Sequence, residues 1–167
     1  MLGRLGELFS AISQYQSPAG ESLLRRCAAH FPLLVKMLLV FDTSVIIAIE
    51  KEDNNILKKI SELSKSYSGP PQITFIIYYE FLMGIKKRSP INQAKAMDLL
   101  SNFNCLSATK ETAEILSALK YKYDAAGISI SLADLIIAAL VKENNMVLVT
   151  KDKTFEKIEE INKIVLD

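Results

Sequence analysis

From Met37 to Asp167 the chain alternates short, continuous apolar runs with longer stretches of helical pattern, and this alternation restricts it to few folds. Met37-Leu-Leu-Val-Phe41 and Met146-Val-Leu-Val149 contain no polar residue, as strands do when both faces of their sheet are covered. Further strands are expected at 72–75, 104–108 and 163–166. Helices are expected at 44–50, 54–65, 76–87, 91–102, 109–126 and 131–143, with an exposed helix at 152–161. The run Ser68-Gly-Pro-Pro71 is a break, Gly127 sits where a helix C-cap belongs, and Asn144-Asn145 stops the helix before it. Parallel strands need crossover connections. The expected architecture is therefore α/β, with a short parallel sheet flanked by helices in three layers.

Residue usage changes at Met37. Residues 1–36 hold Arg4, Arg25, Arg26 and the only histidine, His30, whereas the remainder is rich in Ile, Lys, Asn and Glu and has a single arginine, Arg88. This divides the chain into an N-terminal extension, 1–36, with short helices expected at 5–15 and 20–30, and a domain, 37–167. Two widely spaced cysteines, Cys27 and Cys105, form no disulfide framework and point to a reducing cytoplasm. No apolar run is long enough to span a membrane, since Lys36 interrupts the longest, and no signal-peptide pattern opens the chain. Two cysteines and one histidine cannot build the usual four-ligand zinc site. A nucleophilic triad would have to use His30, outside the patterned domain. Phosphate-cradling glycine motifs are lacking. The net charge of +1 argues against a broad electrostatic grip on nucleic acid.

Four acidic residues stand out, because most of the 19 lie in polar stretches. Asp42 follows the first apolar strand. Glu80 interrupts Phe-Ile-Ile-Tyr-Tyr-Glu-Phe-Leu-Met-Gly-Ile, Asp134 is the only charge in Leu-Ala-Asp-Leu-Ile-Ile-Ala-Ala-Leu-Val, and Asp152 comes just after Met-Val-Leu-Val-Thr-Lys. An ionised carboxylate among apolar neighbours is costly unless it is paired or binds a metal. No lysine or arginine lies within 37–50 or 72–85. Residues just past the carboxyl ends of parallel strands converge on one crevice, which Asp42 and Asp152 would line and Asp134 and Glu80 would face. An all-oxygen cluster suits Mg²⁺ or Mn²⁺. Each acid also has a plainer reading: Asp42 and Asp152 as helix N-caps, Asp134 as part of a capping box, and Glu80 as a buried acid with a lysine partner.

Taken in order, Leu-Val-Phe-Asp42-Thr-Ser, Tyr-Tyr-Glu80-Phe-Leu-Met-Gly-Ile, Ala-Asp134-Leu-Ile-Ile-Ala-Ala and Val-Leu-Val-Thr150-Lys-Asp152 resemble the PIN-domain ribonucleases, specifically the VapC-like toxins of toxin–antitoxin pairs. The resemblance covers 37–167 and leaves 1–36 without a counterpart. It implies a PIN-like fold and a metal-dependent endoribonuclease with an RNA substrate and an antitoxin protein as partner. It makes Asp42, Glu80, Asp134 and Asp152 the acidic cluster, with Ser44 and Thr150 as polar helpers. Asp42 and Asp134 would be direct ligands, Glu80 would bind metal or orient water, and Asp152 would complete a second site. A processing nuclease, a receiver-like domain that accepts phosphate beside Mg²⁺, and a non-catalytic binding module are the alternatives. Because all four acids follow Met37, the extension is expected to be dispensable for chemistry, although Arg25 or Arg26 reaching the acids would make it self-inhibitory. A homodimer is expected from the apolar residues Ile56, Leu57, Ile60, Leu63, Tyr78, Tyr79 and Leu82, more than one sheet face should cover.

Overall fold

The structure, a computed structural model, describes residues 37–67 and 69–167. The helices expected at 5–15 and 20–30, His30, and any reach of Arg25 or Arg26 towards the acids lie outside the described residues. The elements follow in the order β1 (Leu39–Phe41), α1 (Thr43–Glu50), α2 (Asn54–Leu63), β2 (Gln72–Thr74), α3 (Phe75–Ile85), α4 (Pro90–Leu100), β3 (Asn104–Leu106), α5 (Lys110–Ala125), α6 (Leu132–Glu143), β4 (Val147–Thr150), a 3₁₀ helix (Lys153–Lys157) and β5 (Asn162–Val165). All five strands are parallel, in the order β3-β2-β1-β4-β5. Val40 and Phe41 of β1 pair with Leu148 and Val149 of β4, and Val40 pairs with Gln72 of β2. The receiver-like alternative is overturned here, because that doubly wound fold runs 2-1-3-4-5.

The apolar runs form strands because both faces of the sheet are covered. Val40, Phe41, Leu148 and Val149 are all but inaccessible to solvent. On α6, Leu135 and the run Ile137-Ala-Ala-Leu-Val141 are buried, so this helix is enclosed on more than one side. Helix ends follow local chemistry. Thr74 caps α3 by accepting from the Ile77 amide, and Ser89 caps α4 with Pro90 at its first position. Gly127 (φ 68°) ends α5 with paired bonds from Ile128 N to Tyr123 O and Gly127 N to Asp124 O. Asn145 (φ 49°) ends α6 in the same way, through Met146 N to Val141 O.

Two expectations need correction. The segment 152–161 is not an exposed α-helix. It is a 3₁₀ helix followed by a turn, with Phe155, Ile158 and Ile161 buried. Phe155 lies on the 3₁₀ helix, Ile158 ends it, and Ile161 lies in the turn beyond. The surplus on 54–65 is also smaller than expected. Ile56 and Ile60 lie one turn apart and are fully buried, while Leu57, Leu63, Tyr78 and Leu82 pack partly buried against the core. A different stripe is uncovered: Phe75, Tyr79 and Met83, at successive i, i+4 positions of α3, are 37%, 57% and 50% exposed.

Candidate functional site

The order of the sheet reverses between β1 and β4, and the crevice beyond the carboxyl ends of these two strands is where α/β folds place ligands. Asp42 leaves β1 at this point, with its amide bonded to Val149 O of β4 (3.0 Å). It is the only carboxylate among the described residues that is almost wholly buried, at 7% exposure. It stands at the N-cap position of α1, yet its side chain makes no cap hydrogen bond, so the capping explanation for Asp42 fails. Its Oδ2 instead accepts from the Ser44 hydroxyl (2.7 Å) and from the buried Thr150 hydroxyl at the end of β4 (2.7 Å). Those oxygens are themselves held: Ser44 Oγ accepts from Lys151 N (3.0 Å) and Thr150 Oγ1 accepts from Asp152 N (2.9 Å). One continuous network thus joins the ends of β1 and β4 to the loop carrying Asp152.

The other acids enter from helices. Glu80, half-buried on α3, has no lysine partner among the described residues. Its Oε2 accepts from the Thr43 hydroxyl on the first turn of α1 (2.7 Å), which ties Glu80 to the start of α1 across 37 residues of chain. Asp134, half-buried in the first turn of α6, accepts from the Ser131 hydroxyl (2.7 Å), while Ser131 Oγ accepts from Asp134 N (3.0 Å). The expected capping role of the Ser131–Asp134 pair is therefore real. Burial pushes the Asp134 carboxyl above its ordinary range. The Ser131 hydroxyl draws it partly back, and the charges of Asp152 and Asp42 raise it further. Asp152 is exposed and caps the 3₁₀ helix through Oδ1 and Thr154 N (2.8 Å), so the cap reading accounts for one of its oxygens.

In Asp42, Glu80 and Asp152 a single oxygen takes the hydrogen bonds from the described residues, whereas Asp134 accepts from both the hydroxyl and the backbone of Ser131. None of the four forms an ion pair among the described residues, whose cations pair with Glu50, Asp124, Glu159 and Glu160 instead. Among those residues, no three acidic, histidine or cysteine side chains stand close enough together to hold a metal ion ready-made. Like charges without a cation between them repel. The donor set, hard carboxylate oxygens with hydroxyls behind them, is one that Mg²⁺ or Mn²⁺ accepts. Two contributors were missed by sequence reasoning: Thr43, which holds Glu80, and Ser131 in its second role as the donor to Asp134. The Asp-Thr-Ser run was the available signal for the first, since it places two hydroxyls next to one carboxylate.

A family model described as the PIN domain matches residues 39–161. No curated protein matches the chain. Among solved structures, the chain is similar to one of VapBC2 from Rickettsia felis bound to a promoter DNA fragment, with 24% identity and a TM-score of 0.69, covering 78% of this chain and all of that one. It is similar to one of VapBC-1 from nontypeable Haemophilus influenzae at 24% identity and TM-score 0.67, covering 77% and 98%. It is also similar to one of VapBC-5 from Mycobacterium tuberculosis, a member of the VapBC family of toxin-antitoxin systems, at 19% identity and TM-score 0.60, covering 78% and 99%. At these identities the likeness carries the fold.

Proposed function

The chain belongs to the PIN domain family, a family of nucleases, and on that premise we propose that it is a divalent-metal-dependent endoribonuclease, the toxin of a toxin–antitoxin pair. What supports the chemistry is that none of Asp42, Glu80, Asp134 and Asp152 forms an ion pair among the described residues, that the charges of Asp152 and Asp42 act on Asp134, and that Glu80 is held by Thr43, the residue after Asp42. A divalent cation held by these carboxylates would supply Lewis-acid chemistry towards water and the scissile phosphate. Asp42 and Asp134 are the ligands in this reading. Asp42 is held rigid by Ser44 and Thr150, and Asp134 is set across the crevice by Ser131. Glu80, aimed by Thr43, binds the cation or accepts a hydrogen bond from the attacking water, and Asp152 serves a second, more exposed position. No histidine is needed.

RNA as substrate and an antitoxin protein as partner rest on the sequence resemblance, and the structural likeness to VapBC proteins supports them. The place of action is the cytoplasm in this reading. Among the described residues, no helix is long and apolar enough to cross a membrane. Incubating the purified full chain with single-stranded RNA and Mn²⁺ or Mg²⁺ should give cleavage that EDTA abolishes and added metal restores. Cleavage that survives EDTA rules the mechanism out.

We also propose a homodimer, through the Phe75–Tyr79–Met83 stripe of α3, which keeps Tyr79 of the expected set and leaves out α2. Light scattering at micromolar concentration should report twice the monomer mass, and Tyr79→Asp should reduce it to that of one chain. A monomeric wild-type protein contradicts the proposal.

A further inference from the structure

Arg88 is the only arginine from Met37 onward, and it lies just beyond α3, away from the four acids in sequence. Its guanidinium pairs with Glu50, the last residue of α1, and lies over the Phe81 ring, 6.0 Å from the centroid. Phe81 is buried and follows Glu80 directly. Helices α1 and α3 are thus tied twice. One tie joins Thr43 to Glu80 at 2.7 Å, and the other joins Glu50 to Arg88. Along α1 the two tie points are seven residues apart, about two helical turns; Glu80 lies on α3 and Arg88 in the turn that follows its end at Ile85, so the two ties hold α3 and that turn against α1.

The position of Glu50 suits this role better than a stabilising one. A glutamate at a helix C-terminus opposes the helix dipole, and α1 has no basic residue in its last turn. Both partners are partly exposed, at 33% and 22%, and such pairs contribute little to stability. What the pair does constrain is how α3 sits on α1. A planar guanidinium can stack on Phe81 and pair with Glu50 at once, which a lysine ammonium cannot do equally well.

We propose that Arg88 is a positioning residue for the acidic site, acting through Glu50 and Phe81 on the placement of Glu80 and thereby on divalent-metal affinity. The inference rests on the metal-dependent reading above. The test is Mn²⁺ binding to the full chain, followed by the paramagnetic resonance of free Mn²⁺, with folding verified by circular dichroism. Arg88→Met and Glu50→Gln should each weaken Mn²⁺ binding about 10-fold, the low end of what loss of a supporting contact costs a metal site. Arg88→Lys should lose less. In a Glu80→Gln background, Arg88→Met should have little further effect, because the group it positions is already gone. The proposal is overturned if Arg88→Met and Glu50→Gln bind Mn²⁺ as the wild type does, or if the loss persists undiminished in the Glu80→Gln background. A wild-type protein that binds no Mn²⁺ sinks the metal reading itself, and this inference with it.

Discussion

Asp42→Asn should leave the protein folded and reduce RNA cleavage by more than about 100-fold, since even supporting groups around a metal cost 10–100-fold when removed. The substitution is nearly isosteric, and the structure shows what it preserves. The two hydroxyls that Asp42 Oδ2 accepts, from Ser44 and Thr150, can be accepted by the asparagine oxygen. The backbone bond from residue 42 to Val149 O is untouched, and so is the pairing of β1 with β4. With the oxygen facing those hydroxyls, the amide nitrogen occupies the position of Oδ1. A negative acceptor that can hold a cation becomes a neutral donor that cannot. Circular dichroism and thermal melting of the metal-free protein should match the wild type while the cleavage rate collapses. If Asp42→Asn unfolds the protein, the carboxylate belongs to the fold, and its assignment as a ligand is wrong.

Much of the architecture was legible because the signals were redundant. The Met-Leu-Leu-Val-Phe and Met-Val-Leu-Val runs became neighbouring central strands, and alternation with helices implied parallel pairing. The order of the strands was not legible. Alternation requires crossovers, but it does not say whether β4 returns to the side of β1 opposite β2, and that choice is what opens the crevice at Asp42. The misread segment at 152–161 shows a second limit. Only Lys153–Lys157 is helical, and as 3₁₀, while Ile158 and Ile161 follow its end, so apolar residues three apart in sequence there belong to a short helix and a turn rather than to one helix. The excess attributed to Ile56 and Ile60 failed for a tertiary reason, because these side chains enter the shared core rather than the surface.

Asp42, Glu80 and Asp134 stand out as candidates because each breaks an apolar context, and Asp152 because it follows an apolar strand, but the groups that hold them are not legible in the sequence. The hydroxyl that holds Glu80 comes from Thr43, 37 residues away, and no local pattern announces a bond made only when α1 and α3 pack. Arg88 was visible as a solitary arginine, yet its partner Glu50 sits 38 residues earlier. The plainer readings fared unevenly. The side chain of Asp42 does not cap its helix, whereas Asp134 and Asp152 do serve local turns. A carboxylate has two oxygens, so a capping bond to one does not exclude the ligand role proposed for these residues.

Asp134→Asn should separate stability from function in the opposite direction to an ordinary core substitution. The Asp134 carboxyl sits above its ordinary range, first because it is buried and further because Asp152 and Asp42 face it, with Ser131 only partly opposing. A carboxyl whose pKa is raised on folding holds its proton more tightly in the folded state. Its contribution to stability is therefore fully present below the unfolded value, about pH 3.9, and is lost as pH rises through the raised folded value. At neutral pH the ionised group is a net burden on the metal-free protein. Asparagine removes that burden and can still accept the Ser131 hydroxyl. The metal-free melting temperature of Asp134→Asn at pH 7 should equal or exceed that of the wild type, with the gap narrowing as both are taken towards pH 4. Cleavage should nonetheless be lost. The wild type should also bind Mn²⁺ progressively less well as pH falls through the raised pKa, because the cation and the proton compete for the same carboxylate. That dependence should be blunted in Asp134→Asn. A variant that melts well below the wild type at pH 7, or one that keeps full activity, would show that the residue serves helix α6 and not the crevice.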